Sequence, residues 1–136
     1  MLIAALTAFL LIHFGSHSSA LTSQLDQTAA LIQKDVPDEA HRKQALVIVD
    51  QMKAEAQAAS KQRQKSLEEL NSVLAKRTTP ASDIERAAQP LITDDRASAE
   101  KLLDLRFQLK SVLTRDEWKM VFPPPAAEAA GKKRSA

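Results

Sequence analysis

The chain has 136 residues, enough for one small domain, and its 44% apolar and 26% charged residues exclude a disordered polyampholyte. Only 4% of residues are aromatic and two are glycine, so a thick globular core is excluded, and the abundance of helix formers predicts an elongated all-α protein. A net charge of +2 with both signs mixed argues against a nucleic-acid partner, and the absence of cysteine excludes disulfides, thiolate metal sites and a Cys-linked lipid.

Residues 1–20, MLIAALTAFLLIHFGSHSSA, differ in kind from the rest. Met1 to Phe14 is almost unbroken apolar sequence, and no Lys or Arg precedes Lys34. The run is closer to the core of a signal peptide than to a full membrane span of about 20 residues. Ser18 to Ala20 supplies the small residues of a cleavage site, while the usual positive start is missing. Residues 1–20 are therefore expected to be a signal peptide or an N-terminal membrane anchor, with membrane contact through residues 1–14. The protein is expected in the periplasm, soluble or held to the inner membrane by its N-terminus.

A helical domain is expected over residues 21–122. Its first helix runs from about Leu21 to Lys34, where Leu21, Leu25, Ala29 and Ile32 form one apolar stripe at three-four spacing. KDVPDEA interrupts it; Pro37 suits the first turn of the next helix, and Asp35, Asp38 and Glu39 supply the negative charge a helix start favours. No Pro or Gly follows until after Arg77, which predicts a helix of roughly 40 residues and about 60 Å. TTPAS then turns the chain, and Ser82 with Glu85 has the pattern of a capping box. The helix opened there reaches about Leu113, kinked or broken by Pro90, with a restart capped by Thr93, Asp94 and Asp95. Residues 123–136 carry no apolar periodicity and are expected to be disordered.

The two long helices pair on paper. Ala45, Val49, Met52, Ala56, Ala59, Arg63, Ser66, Leu70 and Val73 recur at strict four-three spacing. Ile84, Ala88, Leu91, Asp95, Ser98, Leu102, Leu105, Leu109 and Val112 do the same. Folded about TTPAS, these seams meet layer by layer as a long antiparallel helical hairpin. The one basic seam residue, Arg63, falls opposite the one acidic seam residue, Asp95. Their expected role is to fix register, since a slip of one heptad would face both charges with apolar layers.

The best-specified local signal is LTRDEW. Thr114 and Glu117 form a second capping box, and Leu113 and Trp118 have the spacing of a hydrophobic staple. Pro123 stops the short helix that results. Asp116 and Glu117 are adjacent on a helix start, so they point apart and do not form an acid/base pair.

The hairpin, the TTPASDIE turn and the closing Leu113-Thr114-Arg115-Asp116-Glu117-Trp118 together resemble the Spy/CpxP-type periplasmic stress chaperones and the related periplasmic heavy-metal sensor proteins. Leu21-Thr22-Ser23-Gln24 echoes the same segment at the first helix. The resemblance spans roughly residues 20–122 by pattern. It implies an exported helical hairpin that often dimerises and binds unfolded or membrane-associated clients, or senses envelope stress.

Metal ligands do not carry over. His13 and His17 are one turn apart but lie in the leader, and His41 stands alone on a charged helix start. No nucleophile constellation or phosphate-binding glycine loop is visible, so neither an enzyme nor a cofactor is expected. GKKR near the C-terminus is a weak basic footprint. Apolar residues outside the seams are the remaining surplus. Leu46 and Val47 on one helix, Leu103 and Phe107 on the other, with Arg106 and Lys110 nearby, are the candidate surface for clients or a dimer partner. The competing explanation is that Leu25 and Ile32 of the first helix cover some of them. The expected function is a Spy-like chaperone or stress-response binding protein. The alternative is a membrane-tethered regulatory or structural subunit with one fixed protein partner.

Overall fold

A computed structural model describes residues 18–124. Residues 1–17 and 125–136, and with them most of the predicted leader and of the predicted tail, lie outside the described residues; Ser18–Ala20, the last residues of the predicted leader, are helical and open the first helix three residues before the expected Leu21. The described residues form four helices: α1 (Ser18–Asp35), α2 (Glu39–Leu74), α3 (Ala81–Val112) and α4 (Arg115–Val121). α2 and α3 make the expected antiparallel hairpin, α1 packs along α2, and α4 packs against α1.

The first break is made by Val36, Pro37 and Asp38. Pro37 lies ahead of the helix rather than in its first turn, because Asp38 takes the N-cap and accepts the His41 backbone N–H at 2.8 Å. The exposed Asp38 carboxyl is held below the ordinary carboxylate range, chiefly by that bond. Val36, at the break, is fully buried. α2 has 36 residues and so spans about 54 Å. It stops at Leu74, short of the expected Arg77, and Thr79 Oγ1 closes the turn by donating to the Val73 carbonyl at 2.8 Å.

α3 departs from expectation at two points. Its N-cap is Pro80, whose carbonyl accepts from Asp83 and Ile84, so Ser82 and Glu85 form no capping box. Pro90 lies inside one continuous helix, and there is no restart at Thr93. The Thr93 hydroxyl instead bonds back to the Gln89 carbonyl at 3.2 Å, while Asp94 and Asp95 reach across to α2. Cross-helix ties of this kind hold the turn after the proline and override its tendency to break the helix.

Every predicted seam residue is buried or half-buried. The polar ties between the helices are Glu55 with Lys101, Gln62 with Asp94 and Arg63 with Asp95. From Glu55–Lys101 to Gln62–Asp94 the numbers rise by seven on α2 as they fall by seven on α3, and Arg63–Asp95 lies in the same layer as the latter pair, which is one antiparallel register. The core is lopsided. Leu25, Ile32, Val36, Ala45, Val49, Leu109, Leu113 and Val121 gather at the end where α1, the start of α2, the end of α3 and α4 converge. We call this end the base. Towards the opposite end, the tip, the buried seam shrinks to Ala56 with Leu102 and then to Ser98 and Ser66.

Candidate functional site

α4 is held to the base as its sequence prescribes. Thr114 Oγ1 accepts the Glu117 N–H at 3.2 Å, and the Glu117 carboxylate accepts the Thr114 N–H at 2.8 Å. Leu113 is buried, and half-buried Trp118 stacks on Phe122 with ring centroids 4.4 Å apart. Phe122 is the C-cap, closing the helix through its N–H to the Trp118 carbonyl directly before Pro123, the expected stop.

His41 is not isolated. Its Nδ1 lies 3.1 Å and 3.3 Å from the two carboxylate oxygens of Glu117, which is 4% exposed. A carboxylate only accepts, so Nδ1 is the nitrogen that donates. Burial alone pushes the Glu117 carboxyl up, but the bonds from Thr114 and His41 outweigh it and hold the group below the ordinary value. The buried carboxylate thus accepts both from its own helix cap, Thr114, and from His41 of α2, and the second bond ties α4 to α2. Asp116 is exposed. The arrangement is a structural clasp and offers no free base beside a cleft. Among the described residues no three His, Asp, Glu or Cys side chains gather to hold a metal.

The predicted surface residues separate. Leu46 packs on the core, and Leu103 is half-buried. The Arg106 guanidinium sits 5.6 Å from the centre of the Trp118 ring, a cation–π contact that ties it to α4. Val47 and Phe107 are 56% and 59% exposed, and Lys110 is exposed. Val47 and Phe107 stand two residues from seam positions, so each points away from the other helix. The six residues do not make one ridge.

A different surface is continuous. With the seams as a and d positions, the g positions of the two helices meet on one flank and the e positions on the other. The g flank carries the polar ties Glu55–Lys101 and Gln62–Asp94. On the e flank of α2 stand Leu46, Lys53, Ser60, Leu67 and Leu74, seven residues apart. Facing them on α3 are Leu113 at the base, Arg106, Ala99, Ile92 and, opposite Leu74 at the tip, Glu85. α1 and α4 occupy the base half of this flank: Lys53 Nζ is 2.6 Å from Asp26 of α1, and Arg106 meets Trp118 of α4. The Asp26 bond holds the Lys53 ammonium above its ordinary value. Among the described residues, neither α1 nor α4 covers the tip half. Leu67, Leu74 and Ile92 are 42%, 52% and 67% exposed. Their signal was in the sequence, as the heptad repeat that runs one position after the α2 seam from Leu46.

No family model, curated protein or solved structure matches this chain. No helix among the described residues is long and apolar enough to cross a membrane, and the expected anchor lies outside them.

Proposed function

We propose that the protein is an exported Spy-like chaperone or stress-response binding protein, which docks amphipathic segments of client proteins on its helical surface without a cofactor. The observation that carries this reading is the exposure of Leu67, Leu74 and Ile92 together on one flank of a hairpin whose core lies at one end. A hairpin that served only to fold would place polar residues there, because exposed apolar side chains gain nothing in water. The pattern of LTRDEW supports the same family of functions by resemblance.

The test is suppression of aggregation. Purified chain is added in equal amount to a denatured reporter protein diluted from urea, and light scattering is followed. Reduced scattering is the expected result; unchanged scattering sinks the proposal. The apolar run Met1 to Phe14 favours a second reading, a tethered subunit with one fixed partner. Mass spectrometry of the mature N-terminus separates the two: a start at Leu21 fits the soluble chaperone, and an intact Met1 the tethered subunit.

A further inference from the structure

The molecule already shows what its e flank accepts. α1 lies on the base half of that flank as an amphipathic helix, with Leu25 and Ile32 buried in the core and Asp26 on Lys53. The short link through Val36–Asp38 forces α1 antiparallel to α2. With Asp26 beside Lys53, the first described residue of α1, Ser18, falls near Ser60. The flank does not end there. It continues through Ser60 and Ala99, both half-buried, to Leu67 beside Ile92 and then Leu74. From Ser60 to Leu74 the stripe is about 21 Å long, room for a helix of about 14 residues.

We infer that the tip half of the e flank is a docking groove for an amphipathic α-helix of another protein, seated end to end with α1. This rests on the reading of the protein as a binding protein, and it names the surface and the class of ligand. The groove is continuous with an interface the fold has already made, so an incoming helix extends an existing row of packing. Beside the apolar stripe on α2, Gln64 and Asn71 are uncharged; the one charged e position of this half, Glu85 opposite Leu74, is exposed at the far end, where a docked helix leaves it in water. Arg96 lies one turn from Ile92 and, among the described residues, pairs only with Glu100 of its own helix, an exposed pair. It is the counterpart of Lys53 under α1. The fitting partner therefore carries Leu, Ile or Val at three-four spacing and an acidic residue at the rim of that face. The g flank offers no comparable apolar stripe: its middle carries the Glu55–Lys101 and Gln62–Asp94 ties, and its cleft at the tip is lined largely by charged side chains, Glu69, Lys76 and Arg86 among them.

The probe is a fluorescein-labelled 18-residue helix of Leu, Glu and Gln with leucines at three-four spacing, and a scrambled peptide of the same composition. Fluorescence anisotropy with the full chain is expected to show binding of the patterned peptide only. L67E/I92E is expected to weaken it at least tenfold, and V47E/F107E to leave it within twofold. All four positions are exposed, and circular dichroism checks that each variant keeps its helices. If wild-type chain binds neither peptide, the binding function itself fails. If it binds and V47E/F107E removes binding while L67E/I92E does not, the function stands and this groove is overturned. A photo-crosslinker at position 67 identifies the occupant. Cross-links to residues 1–17, or to a second copy of the chain in place of the peptide, also overturn the proposal.

Discussion

Glu117 does three jobs with one carboxylate: it completes the capping box, fills a buried position and clasps α4 to His41. Its carboxyl is held below the ordinary value when folded. Its contribution to stability is therefore present above the unfolded value, near pH 4.5, and is lost as pH falls through the lower folded value. The melting temperature should fall between about pH 5 and pH 3. In Glu117→Gln the fall should be shallower and the protein less stable at pH 7, by about 1–3 kcal/mol. A pH series of thermal melts on both chains checks this; parallel curves would show that the clasp is not what titrates. The capping box was legible because all its partners sit within LTRDEW. The clasp was not, because His41 and Glu117 are 76 residues apart and nothing local to either announces the other.

At the scale of the helices, a strict four-three repeat made the pairing of α2 with α3 readable, since only one register places both seams inward and Arg63 on Asp95. Exchanging the two charges tests whether the pair sets register. Each single reversal should lower stability by at least about 1 kcal/mol in urea titrations, and the double exchange should restore most of it. Additive losses would mean that register is set by the apolar layers alone. The start and middle of α3 were harder to read. Ser82 and Glu85 have the spacing of a cap, yet Pro80 begins the helix before them. Pro90 looked like a break, yet Asp94 and Asp95 are tied to α2 rather than free to cap a new start. Both misreadings have one cause: tertiary contacts decide between local signals that are each individually sound. Pro90 still deprives the helix of a backbone donor. Pro90→Ala should raise stability by up to about 3 kcal/mol. An unchanged thermal midpoint would mean that the neighbouring ties already offset the proline in full.

Across the whole molecule, stability is unevenly spread. Leu109 is fully buried in the base cluster, while Val73 is a half-buried seam residue near the tip. Leu109→Ala should cost about 2–5 kcal/mol, and Val73→Ala clearly less. Amide hydrogen exchange should show the same gradient, slow from Val49 towards the base and fast from Leu70 to Ala88. Equal costs and uniform exchange would show that the hairpin unfolds as one unit. The lopsided core was the least legible feature, because the seams name apolar positions without saying where α1 and α4 add their own. The turn between α2 and α3 has a practical consequence. Its residues from Ala75 to Thr78 are exposed and none belongs to the core cluster. A surface loop lengthens at small entropic cost. The turn is therefore a natural attachment point, where an inserted tag or environment-sensitive dye would leave the base undisturbed and sit close enough to Leu74 to signal an arriving helix.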